Sequence, residues 1–355
     1  MSNNKNQHFV PQFYFRFFSK NDSRIALLQK KTGNIIYSAP ISGQCSKNFF
    51  YDSVENEKYL SSLEQCIRKI LNELANIEDT AQLEKLISNE SKYTDIILSI
   101  TLQRLRVPSE AQKLMQYKEA VVLSTLRLMS DANMLPEPPV GISIDDIKVN
   151  IDPKHSVISL IKSIAPSFLF LLRDLNFYLL INKSKIPFSF SDSPVIFHSM
   201  LDTKIIGAAS HGLIVLYPIS SSVQIMLVDS SAYKIKAYKT RIIQIGKSDV
   251  IRLNELQIVY ADSNIYCHQT GIGQIKKIWE NINIEPTDKS SRVTTMQHSS
   301  RYLISFNNII ENYRLELSFI RLRDKISPRP LIRKTVSLAE LKDFEKGITT
   351  ACKKI

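Results

Sequence analysis

From Val10 to Tyr37, aromatic and β-branched residues alternate with polar ones, and KKTGN at 30–34 carries a turn signal, so the pattern predicts an N-terminal hairpin. Helical spacing follows. Leu60, Leu63, Ile67, Ile70, Leu71 and Leu74 mark one helix, with Asp52 and Glu55 spaced as a capping box at its start. Tyr93, Ile96, Ile97, Ile100 and Leu105 mark a second, which should stop before Pro108, and Ser109 with Gln112 should cap a third running to about Met129. Val157 to Ile181 is the most apolar stretch, yet Lys162, Arg173, Asp174 and Asn176 interrupt it. Its longest uncharged run, Ser163 to Leu172, falls short of the roughly 20 residues that a membrane span requires. It therefore reads as a buried core helix kinked near Pro166, and no transmembrane segment is expected.

After Ile186 the character changes to short alternating or wholly apolar runs (PFSF, PVIF, LIVLYPI, VQIMLV, YKIKAY), the pattern of strands in a mostly antiparallel sheet. A helix from about Ser248 to Ala261 and a last one over about 337–353 complete the list. Helices first and strands afterwards predict an α+β fold: an N-terminal hairpin and a helical block followed by a mixed, mostly antiparallel sheet. The chain reads as one large domain over 1–355, helical to about 183 and sheet-rich over about 184–335. PEPPVG at 136–141 is a surface connection within it.

Composition narrows the classes without naming an activity. With 44% hydrophobic and 23% charged residues, the 355-residue chain should bury a core and is neither disordered nor fibrous. Only 9 glycines are present, and Gly271 and Gly273 lack the third glycine and preceding strand of a dinucleotide fingerprint. Cys45, Cys66, Cys267 and Cys352 show no CxxC spacing, which suits reduced thiols and a cytoplasmic location. No histidine pair has zinc spacing, no nucleophile motif is present, and the polar start MSNNKNQHF has no signal-peptide core. The net charge of +12 points to a polyanionic partner.

HFVPQFYFRFFS (8–19) resembles the opening of a bacterial family known as domain of unknown function 4238, which begins with a His-x-Val-Pro-Gln-x-Tyr segment. FFYD (49–52), QRLRVP (103–108), SDSPV (191–195), YPIS (217–220) and LNELQ (253–257) extend the resemblance over roughly 8–270. Ser193 stands where that family tends to carry Asn. The resemblance implies a shared fold and no established reaction.

Each candidate group admits a chemical and a structural role. His8, Gln12, Tyr14 and Arg16 would line one side of an extended segment by alternation, able to move a proton or bind a phosphate, or else to satisfy buried main-chain groups. Glu57 and Glu64, nearly two helical turns apart, could hold Mg²⁺ or Mn²⁺ together with Asp192, or be solvated. Gln103 and Arg106 share a helix flank, where the arginine could clamp a phosphate or pair with an internal carboxylate. Asp192 sits at a turn where it could catalyse or simply bond its own backbone. Arg321, Arg323, Lys325, Arg329, Arg333 and Lys334 form a cationic strip able to contact a nucleic-acid backbone.

Two functional classes follow. One is an intracellular bacterial protein acting on RNA or DNA: a metal-dependent nuclease or phosphodiesterase of a phage-defence or toxin setting, with His8, Gln12, Glu64, Arg106 and Asp192 catalytic and a protein partner in a defence operon. The other is a non-catalytic binding or scaffold protein of a multi-component system, in which the same polar groups form a structural network.

Overall fold

A computed structural model describes residues 6–19, 23–51, 54–136, 141, 143, 146–149, 153–201, 206–236, 240–282, 293–298, 301–306, 313–323 and 333. In chain order its elements are β1 (Asn6–His8), α1 (Gln12–Arg16), β2 (Arg24–Gln29), β3 (Ile35–Pro40), β4 (Ser46–Asn48), α2 (Val54–Ala75), α3 (Thr80–Ile87), α4 (Glu90–Leu105), α5 (Pro108–Asp131) and α6 (Pro153–Leu172). There follow β5 (Asn176–Asn182), β6 (Ser189–Ser191), β7 (Ile196–His198), β8 (Ile214–Pro218), β9 (Val223–Val228), β10 (Tyr233–Ile235), β11 (Ile242–Ile245), α7 (Lys247–Tyr260), β12 (Asn264–Cys267), α8 (Ile272–Asn281), β13 (Val293–His298), β14 (Arg301–Phe306) and β15 (Ile320–Leu322).

The fold is α+β, and its N-terminal hairpin is β2–β3. Gly33 turns that hairpin with φ of 69°, and a Cβ there would meet the Trp279 ring at 2.4 Å. Two sheets carry the core. One has the order β11-β5-β9-β8-β7, antiparallel except for the parallel β11–β5 pair. Its strands β8 and β9 are buried along their whole length, which is why LIVLYPI and VQIMLV read as continuous apolar runs. The other sheet is antiparallel, in the order β3-β2-β12-β6. Because β2 pairs with β12, the start of the chain is built into the sheet that the later residues form.

Four expectations need correction. The segment after His8 is not extended: Pro11 supplies the backbone angle of a helix start, α1 follows, and its turn sends Tyr14 and Phe15 inward while Arg16 stays exposed. The apolar stretch 157–181 is not one helix. α6 ends at Leu172, and the polar residues 173, 174 and 176 mark the turn into β5, which the pairings with β9 and β11 hold as a strand. Pro108 is itself the first residue of α5, so its own ring rather than a Ser109 side chain sets the start. Strand structure after the helical block starts with β5 at Asn176, ahead of the expected change at about 183, and α3, capped by Asp79 through the Gln82 amide, had no predicted counterpart. Asp52, residues 137–140 of PEPPVG and the expected helix over 337–353 lie outside the described residues. Among the described residues, no helix is long and apolar enough to cross a membrane.

Candidate functional site

β1 pairs antiparallel with β4, placing Gln7 opposite Lys47 and His8 opposite Ser46. Alternation then sends Gln7 inward and turns His8 toward the partly open side. Main-chain and side-chain bonds converge on this short ribbon from α2, α4 and the turn before α2. Arg106, at the C-terminal end of α4, donates through Nη2 to the His8 carbonyl at 2.6 Å, through Nε to the Tyr51 hydroxyl at 2.9 Å, and pairs through Nη1 with Glu64 Oε1 at 2.8 Å. Tyr51 donates its hydroxyl to the same His8 carbonyl at 3.0 Å, and its amide donates to Gln7 Oε1 at 2.6 Å. Gln103, one turn before Arg106, donates to the next carbonyl, that of Phe9, at 3.1 Å. Gln7 Nε2 reaches Glu57 Oε2 at 3.4 Å.

The His8 ring stands at the edge of this clamp. Its Nε2 is 3.1 Å from the Ser42 carbonyl and 3.4 Å from Gln12 Nε2. A carbonyl only accepts, so the tautomer that satisfies Ser42 carries its proton on Nε2 and leaves Nδ1 as the ring's proton acceptor. Burial lowers the His8 pKa, and the nearby Arg106 charge lowers it further, against the opposing pull of the Ser42 carbonyl, Glu64 and Glu57. The ring is therefore neutral at neutral pH. Burial likewise pushes Tyr51 up to about 12 despite Arg106 beside it, so the phenol stays a donor. Burial opposes the Arg106 charge, but Tyr51 and Glu64 outweigh it and hold the guanidinium above its usual value. With 3% of its surface exposed, Arg106 positions the ribbon and does not meet solvent.

Five of the expected site residues, His8, Gln12, Glu57, Glu64 and Arg106, thus come together. Asp192 does not join them. Its carboxylate accepts the amides of Asp262, Ser263 and Asn264 at 2.8, 2.7 and 3.1 Å, closing the loop before β12. Burial raises its pKa to about 6, with Asp262 adding repulsion and the three amides opposing. The neighbouring motifs serve the same corner. Gln257 accepts from the amide and hydroxyl of Ser191, both at 3.0 Å, and donates to the Pro194 carbonyl at 2.9 Å. Asn254 holds Ser189 and Pro187 in the same way. Among the described residues, no group of three or more His, Cys, Asp or Glu is placed to hold a metal ion, so the trio Glu57, Glu64 and Asp192 is not assembled.

The cationic strip also needs revision. Arg333 is 2% exposed and forms a two-toothed ion pair with Asp174 at 2.9 and 3.0 Å, with further bonds to the carbonyls of Ser210 and Leu171. It ties the chain to the end of α6 and is no surface cation. Arg321 and Arg323 are exposed on and beside β15, with Arg323 donating to the Ser230 carbonyl. Lys325, Arg329 and Lys334 lie outside the described residues. Sequence reasoning missed Gln7 and Tyr51 as members of the clamp. FFYD was the available signal for Tyr51, and nothing marked Gln7.

A family model described as "Protein of unknown function (DUF4238)" matches residues 6–271, more than half of the chain. No curated protein and no solved structure matches.

Proposed function

Since the chain belongs to the family described as protein of unknown function DUF4238, which brings no reaction with it, we propose from its own geometry that it acts on nucleic acid, moving a proton with the His8 ring. One observation carries the reading: the clamp grips His8 by its main-chain carbonyl, through Arg106 and Tyr51, and the ring bonds the Ser42 carbonyl only through Nε2. A neutral ring whose Nδ1 carries no proton suits a general base for a ribose hydroxyl or a water, and Gln12 lies next to the same ring. Glu57 and Glu64, whose charges act on the ring, are the carboxylates that would supply two ligands to Mg²⁺ or Mn²⁺ with water completing the shell. The net charge of +12 favours a phosphate backbone as the bound polyanion.

The test is cleavage of labelled RNA and DNA by wild-type protein and by His8→Ala, with and without Mg²⁺ or Mn²⁺. The reading expects cleavage by the wild type and a loss of about a hundredfold or more in the variant, the usual worth of general acid–base assistance. No cleavage under any condition would overturn it. A non-catalytic binding or scaffold role is the second reading. It is favoured by Arg106 and Asp192, whose charges are both engaged with main chain inside the fold.

A further inference from the structure

Phe49 has φ of 53°, a left-handed backbone that bulky residues rarely adopt, and 43% of its surface is exposed. It follows β4 directly, so it lies at the rim of the ribbon that carries His8. The turn is fixed on its far side: the Tyr51 amide is held by Gln7, and the Tyr51 hydroxyl by the His8 carbonyl and Arg106. Phe50 packs on Phe9 at 5.7 Å and on Tyr51 at 5.0 Å between ring centroids, whereas the Phe49 side chain stays exposed. A residue serving the turn alone would be Gly or Asn, which adopt this backbone readily. An exposed aromatic ring there serves neither the turn nor the core. Two residues earlier on β4, Lys47 is exposed, with its Nζ 5.9 Å from the Phe50 ring.

We infer that Phe49 is a base-stacking residue for an unpaired nucleotide of single-stranded nucleic acid, with Lys47 meeting the phosphate backbone beside it. The inference rests on the nucleic-acid reading above and names its substrate class. Every base has a face to stack, so the contact tolerates sequence and needs a strand that is not already paired.

Phe49→Gly separates the ring from the backbone, because glycine removes the side chain and relieves the left-handed conformation. Fluorescence anisotropy with 12-nucleotide single strands of RNA and DNA, and with a duplex of the same length, is run on wild type, Phe49→Gly, Phe49→Trp and Lys47→Ala, beside thermal unfolding of each. Phe49→Gly should weaken single-strand binding by about 5-fold to 150-fold, the worth of one base stacked on an aromatic ring. Its duplex binding should change by less than about twofold, its unfolding midpoint should equal or exceed that of wild type, and Phe49→Trp should retain binding. Lys47→Ala should flatten the salt dependence of single-strand binding. Unchanged single-strand affinity in Phe49→Gly would overturn the stacking role and leave the nucleic-acid reading standing. A Phe49→Gly protein that melts early would also overturn it, because the ring would then serve the fold. Wild-type protein that binds neither single strand nor duplex would overturn both.

Discussion

The His8 clamp and the Asp192 corner bury charge by opposite means. At the clamp, the Arg106 cation meets a carboxylate, a phenol and a carbonyl, and the charge is compensated within 3 Å. At the corner, an anion receives three amides and, among the described residues, no paired cation, with a second carboxylate, Asp262, nearby. The first arrangement keeps its charge and holds the adjoining ribbon firmly. In the second, burial outweighs the donors, so the group's protonation shifts instead. Compensation at the clamp leaves the His8 ring available, whereas at the corner every oxygen of the carboxylate is engaged in closing a loop.

Arg106→Met should produce the largest effect. It removes the bonds to the His8 carbonyl and to the Tyr51 hydroxyl and strands Glu64, so a loss of about 3–5 kcal/mol in unfolding free energy is expected by urea denaturation. A loss under about 1 kcal/mol would show that the clamp is not what holds the ribbon.

The corner should reveal itself through pH. The folded pKa of Asp192 is raised, so the folded state binds the extra proton between about 4 and 6, and the stability this gives is present at low pH and lost as pH rises through that window. The stability difference between wild type and Asp192→Asn should therefore shrink as pH goes from 4 to 7, by an amount on the order of 3 kcal/mol. A difference that grows with pH would mean that the three amides prevail over burial.

His8 should give the smallest stability effect and the opposite sign. Its pKa is lowered, so the unfolded chain takes up a proton first as pH falls below 6.5, and wild type loses a little stability there that His8→Ala does not lose. Any cleavage should persist down to pH values below 6.5, where an ordinary imidazole would already be charged.

The sequence showed some of this and hid the rest for identifiable reasons. The spacing of Gln103 and Arg106 does put both on one flank of α4, as expected from residues one turn apart. Their partners were illegible because they are the carbonyls of Phe9 and His8, and a carbonyl leaves no trace in residue identity. Asp174 looked like an interruption of an apolar helix, and Arg333 like one cation of six; each explains the other only once the fold pairs them. NFYLLIN could have been helix or strand by its pattern, and strand pairing on both sides decided it. The strands after 186 were legible because alternating and fully buried runs leave distinct patterns.

The central claim is that the clamp holds His8 by its main-chain carbonyl, while the ring contributes only its edge bond to the Ser42 carbonyl. Thermal unfolding of His8→Ala beside Tyr51→Phe tests it most directly, since one variant removes the ring and the other removes a hydroxyl that grips the carbonyl. The His8→Ala midpoint should stay close to that of wild type, while Tyr51→Phe, which leaves a buried acceptor and donor short of a partner at about 1–3 kcal/mol, should melt several degrees lower. A His8→Ala protein that melts as early as Tyr51→Phe would contradict the claim.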